Sequence, residues 1–146
     1  MSNIHGKNCF IAVEDSTSAS RNLSGDGNSV TLTESVANPE ITGFSDGNVQ
    51  RAGSGLTDSR FSIEGWSNDA ANTNLAVLSA LKNACTMICF APNGSGATAS
   101  PVKYTACVIL DDYEINAPVA GISTYRVTFS QSSGSLTKST SWATVM

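Results

Sequence analysis

Apolar and polar residues alternate over several short stretches of this sequence, and this pattern constrains its fold more than any other feature. In the stretch 58–66, Phe61 and Ile63 fall on one side of an extended chain, whereas Glu64 falls on the other. The same alternation recurs in the stretches 6–13, 29–36, 102–115 and 123–131. Charged residues make up only 14% of the chain, too few for the solvent faces of long helices. The sequence therefore predicts a mainly β fold and excludes a coiled coil.

One stretch has helical spacing instead. Apolar residues recur at three- and four-residue steps from Leu75 to Cys89, and Asp69, Asn72 and Thr73 precede them as candidate caps. We predict one amphipathic helix over about residues 69–89, lying on the sheet. The polar, glycine-rich segments 45–57 and 91–101 are predicted to be long loops.

Length and charge narrow the class of protein. A chain of 146 residues is the size of one domain, so we expect a single domain over 1–146. Its net charge of −4 leaves no positive surplus to neutralise phosphates, which argues against tight nucleic-acid binding. We find no secretion signal and no run of about 18 apolar residues, and so expect synthesis in the cytosol and no membrane partner.

The residues that usually carry chemistry are scarce. The only histidine, His5, lies near the N-terminus, so a nucleophile and base pair is not expected. The four cysteines are interpreted as reduced thiols because no secretion signal precedes them. A zinc site built on Cys85 and Cys89 is not expected, because it would need distant segments to converge. Asp26 and Asp46 begin phrases similar to a calcium loop, but the distal glutamate is missing. We therefore predict no enzyme, no catalytic residue, no metal and no cofactor.

Three longer segments follow the order and spacing of a known family. The first is GKNCFIAVEDSTSASRNLSGDGNSVTL, in which a strand ends in an acidic turn and another strand follows. The second is EITGFSDGNVQRAGSGLTDSRFSIEGW, in which a long polar loop leads to a strand that ends in Gly and an aromatic residue. The third is YEINAPVAGISTYRVTFSQSSGSLT, a turn and a strand leading to Ser-Gly. Together they resemble the major tail tube proteins of long, flexible-tailed bacteriophages.

The resemblance implies both a fold and a function. The fold would be a two-sheet β-sandwich or small barrel with one flanking helix. Six copies would form a ring, their inner sheets would join into one barrel, and stacked rings would form the tail tube of the virion, assembled in the host cytoplasm. The implied partners are further copies of the chain, the tape-measure protein, the tail tip and terminator proteins, and double-stranded DNA that passes through without specific binding.

Two sets of residues are predicted to serve such a tube. Carboxylates on the inner sheet would repel DNA phosphates near the wall, and we assign this role to Glu64, Asp112 and Glu114, whose simpler interpretation is a solvated outer surface. The polar loop is predicted to contact the next ring, in preference to the alternative of an idle surface loop. Its residues are Asp46, Gly47, Asn48, Val49, Gln50, Arg51, Ala52, Gly53, Ser54 and Gly55.

Two other functions remain open. A head-decoration or head-to-tail joining protein is also small and rich in β structure, but it forms trimers or one ring and does not grow. A carbohydrate-binding β-sandwich would use exposed aromatic faces, for which Trp66 and Trp142 are the candidates.

Overall fold

The computed structural model describes residues 9–51, 53, 56–71, 73–82, 84–94 and 102–140. Seven strands and one short helix form the described part of the chain. The strands are Phe10–Glu14 (β1), Ser20–Asn22 (β2), Gly27–Val36 (β3), Thr57–Trp66 (β4), Cys85–Ala91 (β5), Lys103–Asn116 (β6) and Thr124–Ser139 (β7), and the helix is Asn74–Ser79 (α1).

The strands belong to one antiparallel sheet, in the order β2-β1-β5-β6-β7-β4-β3. Strands make up 55% of the described residues, and within those residues the sheet is not closed. The prediction of a mainly β fold is confirmed. The expected division into two sheets is not found, because β6 and β7 are long enough to run through both halves of one continuous sheet.

The sheet curves around a single core. Ile11 on β1 and Phe61 on β4 belong to the same buried cluster, yet three strands lie between them in the sheet order. In a flat sheet four strand spacings would separate these strands by about 19 Å. Register shifts between β6 and β7, located between Thr105 and Asp112 on β6, supply the bend, since an extra residue in one strand increases the local twist. One face of the sheet is thereby wrapped inward.

The helix is much shorter than predicted. Where the structure describes the predicted range of 69–89, only Asn74–Ser79 is helical, with Val77 and Leu78 buried against the core, and the rest of the prediction is wrong. The stretch Cys85–Ala91 is instead the strand β5, paired on one side with β1 and on the other with β6. Thr, Ile and Phe in that stretch fit a pleated surface, and pairing on both sides outweighs the helical spacing.

A disulfide contradicts the prediction of four reduced thiols. Cys85 on β5 and Cys107 on β6 are bonded, with their Cα atoms 6.6 Å apart, whereas Cys9 and Cys89 are free. The register explains the pairing, because Cys85 lies opposite Ile109 and Cys107 opposite Met87, which makes the two cysteines diagonal neighbours. Burial raises the pKa of the Cys89 thiol to about 11, although Lys103 opposes the shift, so this thiol is not a reactive nucleophile.

A buried amide fastens the helix to the end of β4. The Asn74 side chain is 1% exposed; it donates to the Trp66 carbonyl at 2.9 Å and accepts from the Asn68 amide at 3.1 Å. The Asn68 side chain in turn donates to Asp26 at 2.9 Å, in the turn before β3. This network joins the β2–β3 turn, the end of β4 and α1, and so fixes the position of the β3–β4 hairpin on the body of the protein.

Candidate assembly surfaces

The strands β3, β4, β7 and β6 together present one polar face, built by their register. Residues paired across neighbouring strands project from the same side of a sheet. Glu64 is opposite Ser29 on β3 and Arg126 on β7, and Arg126 is opposite Glu114 on β6. Following the register along each strand, the polar face consists of Ser29, Thr31, Thr33, Ser35, Asp58, Arg60, Ser62, Glu64, Asp112, Glu114, Arg126, Thr128 and Ser130.

The alternate residues of the same strands form the core. Phe61 and Ile63 of β4 and Val127 and Phe129 of β7 are all fully buried. Because an extended chain reverses its side chains at each residue, the burial of this set orients the polar set outward. The predicted alternation of β4 and of the stretch 123–131 is thus confirmed residue by residue.

All three acidic residues predicted for a tube wall lie on the polar face, around one arginine. An Arg126 amino group is 2.6 Å from a Glu64 carboxylate oxygen. The hydrogen bond and the charge of Glu64, followed by the charges of Glu114 and Asp112, raise the pKa of Arg126 above its usual value. Arg126 was not singled out from the sequence, although its position in the 123–131 alternation puts it on the polar side. It joins the three carboxylates into one cluster.

The polar face carries net negative charge. Its carboxylates are Asp58, Glu64, Asp112 and Glu114, and its only cations among the described residues are Arg60 and Arg126. Asp111, at the bulge beside this face, accepts a hydrogen bond from Ser130 at 2.9 Å and adds a further carboxylate. A surface of this kind repels polyanions within about 8 Å at physiological salt.

Both edges of this four-stranded region are open. On one side, β3 is the last strand of the sheet among the described residues, and there it pairs only with β4. On the other side, β5 pairs with β6 only between Tyr104 and Ile109, so within the described chain residues 110–116 are paired with β7 alone. Unpaired strand edges invite pairing with another chain. The polar face is therefore bounded by two edges that can each accept a further strand.

The connection between β3 and β4 is a projecting arm, which we define as residues 37–56. Backbone hydrogen bonds cross it from Ala37 to Leu56 and from Ile41 to Gln50, both 2.9 Å long, and a bridge links Glu40 with Arg51. At its tip, the Gly43 amide donates to an Asp46 carboxylate oxygen at 2.6 Å. All of its described residues are exposed. The predicted loop is thus one side of an extension of the β3–β4 hairpin.

The predicted contact residues lie mostly on the returning side of this arm. Asp46 to Arg51 and Gly53 are described and exposed, whereas Ala52, Ser54 and Gly55 lie outside the described residues. The outgoing side carries Ile41 and Phe44, exposed by 62% and 114%. Sequence reasoning missed these two, although apolar side chains in an otherwise polar connection are a sign of a contact surface. The second predicted loop, 91–101, begins with a turn at 92–94, and its residues 95–101 are not among those described.

No described group of residues suggests chemistry at these surfaces. Within the described ranges, no cluster of histidine, cysteine or carboxylate side chains could hold a metal ion. None of the helices in that part of the chain has the length and apolar character needed to cross a membrane. Trp66, a candidate sugar platform, is 45% exposed at the end of β4, whereas Trp142 and His5 fall outside the described residues.

Comparison with known proteins finds likeness in structure but not in sequence. No family model and no curated protein matches the chain. A chain in the tail of an empty gene transfer agent particle, obtained by helical refinement with C6 symmetry, has a TM-score of 0.76 at 12% identity, covering 94% of this chain and 99% of that one. The SPP1 tail tube gives 0.70 at 10% identity, covering 93% of this chain and 78% of that one.

A third solved structure belongs to a different kind of particle. A chain of the anti-feeding prophage baseplate gives a TM-score of 0.69 at 7% identity, covering 94% of this chain and 96% of that one. At such low identity the likeness concerns the fold. The resemblance to tail tube proteins that the three sequence segments predicted is therefore confirmed at the level of the fold: this chain has the fold of tail tube and related tail proteins.

Proposed function

We propose that this protein is the major structural subunit of a viral tail tube. Copies pair through their open sheet edges into six-membered rings, the rings stack, and the polar face lines a bore through which the packaged genome leaves the particle. The observation that carries this proposal is the polar face itself: a net negative surface on a strip of sheet that is open at both edges. The fold shared with tail proteins supports it.

The edges are arranged correctly for a closed ring. Along the order β6-β7-β4-β3 every neighbour is antiparallel, so β3 runs opposite to β6. When copies related by a rotation axis stand side by side, β3 of one copy meets residues 110–116 of the next in an antiparallel sense. The sheet then continues without a change of pattern, and ring closure removes the edges.

Six such strips would make a wide barrel. With four strands from each copy the ring would contain about 24 strands, more than the 16–18 that leave an aqueous channel in porins. A strand spacing near 4.8 Å and a tilt near 40° give a diameter of roughly 45–50 Å between opposite backbones. A double helix can pass through a bore of this size, and the carboxylates around Arg126 keep its phosphates from adhering to the wall.

The remaining surfaces would serve the other contacts of a tube. The arm, including Asp46 to Gly55, would reach the neighbouring ring, since it projects beyond the sheet along the direction of β3 and β4. The tape-measure protein would occupy the bore until ejection, and tail tip and terminator proteins would contact the two ends. Assembly would take place in the host cytoplasm, without a cofactor, and the protein would act as a structural component and not as an enzyme.

Electron microscopy of the purified protein over a concentration series tests the proposal, with light scattering on the same samples. Rings or hollow tubes that lengthen with concentration are the expected result. Discrete trimers would contradict the tube and favour head decoration, and a single ring that never stacks would favour a head-to-tail joining protein. Binding to glycans that is lost on Trp66→Ala would favour a carbohydrate-binding function instead.

A pair of opposite charge changes tests which edges meet. Thr31 and Thr33 are exposed on β3, on the same face as Asp112 and Glu114 of β6. In a closed ring, Thr31→Asp with Thr33→Asp sets carboxylates against the acidic edge of the next copy and prevents ring formation, more strongly at low salt. Thr31→Lys with Thr33→Lys sets complementary charges there, and rings form. Equal assembly by both variants would contradict this edge pairing.

The lysine variant also tests the role of the bore. Particles built from it should hold six copies of each added charge in every ring of the wall, and genome release should slow markedly because the wall attracts phosphates. The matched control is Ser16→Lys with Ser20→Lys, which adds the same charge at exposed positions at the β1–β2 hairpin, away from the polar face. Equal ejection rates for the two variants would place the polar face outside the bore.

A further inference from the structure

The exposed large hydrophobic side chains of this protein are concentrated at two places. One group, the arm patch, lies on the arm and its base and consists of Val36, Ile41, Phe44, Val49 and Leu56; the other, the turn patch, lies around the β6–β7 turn and consists of Trp66, Ile115, Val119 and Ile122. Among the described residues only Ile109 belongs to neither group. Contiguous exposed apolar surface on a soluble protein marks a contact site.

The two patches lie at opposite ends of the same strands. β4 begins at Thr57, directly after the arm, and ends at Trp66, which pairs with Thr124 where the β6–β7 turn rejoins the sheet. Ten residues of strand span about 30 Å. The arm patch therefore lies toward one end of the polar face and the turn patch toward the other, and only Val36 and Ile115 belong also to the two open edges.

The turn patch is uncharged, and its turn is compact. Residues 115–123 contain no charged side chain, and Val119 and Ile122 are 107% and 69% exposed. Pro118 keeps the turn compact: a methyl group added at Gly121 would lie 3.1 Å from the Pro118 ring. A proline turn loses little conformational freedom on binding, which favours association. Its lack of charge suits an apolar protein surface and not a nucleic acid.

We infer that the turn patch of one copy binds the arm patch of a copy in the adjacent ring. The occupant is a second copy because the chain offers both halves of the contact at opposite ends, and a contact between two different patches repeats without closing when copies keep one orientation. The inference rests on the proposed tube and adds the receiving surface. Phe44 and Val119, the most exposed members of the two patches, form its centre.

Disulfide trapping between two variants, each with one introduced cysteine, tests the contact. Phe44→Cys and Val119→Cys are each made in a Cys9→Ser background, because Cys9 is the half-exposed free thiol and Cys89 is buried. The two proteins are mixed, assembled and oxidised. The expected product is a cross-linked dimer in the mixture at a yield far above that of either variant alone. The matched control replaces Val119→Cys with Ser16→Cys, which is exposed in the β1–β2 turn and lies outside the turn patch, and should give no such dimer.

The outcomes separate this contact from the tube itself. Tubes that give no Phe44–Val119 cross-link would overturn the contact and leave the proposed function standing. A cross-link in samples that form no tubes would support the contact and contradict the tube. Samples with neither would overturn both, and a cross-link equally strong with Ser16→Cys would overturn the inference as nonspecific.

A second pair of variants tests how much the turn patch contributes to the stacking of rings. Val119→Asn with Ile122→Asn should leave single rings intact but raise the protein concentration at which rings stack by at least about tenfold, because two apolar side chains no longer leave water. Ile109→Asn, the control, should leave that concentration unchanged. Tubes of ordinary length at the ordinary concentration in the Val119 and Ile122 double variant would overturn the inference.

Discussion

Apolar side chains are mostly buried in the body of this protein, meaning the sheet and its helix, but are exposed on the arm. In the body, Phe61 and Phe129 lie opposite each other on neighbouring strands and are fully buried, whereas Phe44 on the arm is fully exposed. Antiparallel backbone hydrogen bonds are present in both regions, so the backbone alone does not distinguish them. The difference teaches that the body's apolar residues hold the fold together, while those of the arm are available to another chain.

The largest expected difference between the two regions is in phenylalanine truncation. Phe129→Ala should lower the free energy of unfolding by about 3–5 kcal/mol, a large part of the stability of such a domain, because it leaves a cavity in the core. Phe44→Ala should change it by less than about 0.5 kcal/mol in the monomer, since the side chain is fully exposed and buries no surface there. Urea unfolding of both variants checks this. Equal losses would mean that the arm belongs to the core of the monomer.

Two glycines give a similar contrast with a smaller effect. A methyl group at Gly65 would collide with the backbone oxygen of Asp26, where the β2–β3 turn lies against the end of β4, whereas Gly47 on the arm has nothing within 4 Å. Gly65→Ala should therefore cost about 1–3 kcal/mol of unfolding free energy, and Gly47→Ala close to none. Thermal unfolding of the pair measures the difference. A stable Gly65→Ala variant would show that the turn can move away from β4.

The smallest effect concerns pH and the β1–β2 turn of the body. Hydrogen bonds from the Thr17 hydroxyl, the Arg21 guanidinium and the Ala19 amide hold the pKa of Asp15 well below its usual value near 3.8. A lowered pKa in the folded state stabilises the protein above about pH 4, and this contribution is lost as the pH falls below that value. The stability advantage of the wild type over Asp15→Asn should therefore shrink below pH 4.

Urea midpoints between pH 7 and pH 2.5 measure this effect, with Asp46→Asn on the arm as the control that removes the same formal charge. The control should follow the wild type through the acid range. A difference between wild type and Asp15→Asn that stays constant with pH would show that Asp15 acts by shape and not by charge.

The sequence predicts best where burial has one dominant period. In β4 and β7 alternate residues are buried, so the alternation by itself assigns Phe61 to the core and Glu64 to the opposite side of the strand. The prediction fails where the apolar spacing fits both the helical period and the strand period. Residues four apart share a face in both a helix and a strand, so Cys85 and Cys89 fit either, and the choice of strand depends on pairing with β1 and β6.

Register and cross-strand bonding are the features that the sequence does not contain. The cluster of Glu64, Glu114 and Arg126 requires three strands to align, and the disulfide between Cys85 and Cys107 requires two. The hairpin structure of the arm is not predicted from the sequence for a related reason. Its glycine and polar residues suggest an irregular loop, although backbone hydrogen bonds such as that between Ile41 and Gln50 order it. Alternation predicts which side of a strand is polar, but not which polar residues meet.

Cryo-electron microscopy of the assembled protein tests the central claim most directly. The account predicts stacked rings in which β3 of one copy pairs with residues 110–116 of the next, and Glu64, Asp112, Glu114 and Arg126 face the bore. Rings in which these four residues face the outside, or in which neighbouring copies meet through surfaces other than the two open edges, would contradict it.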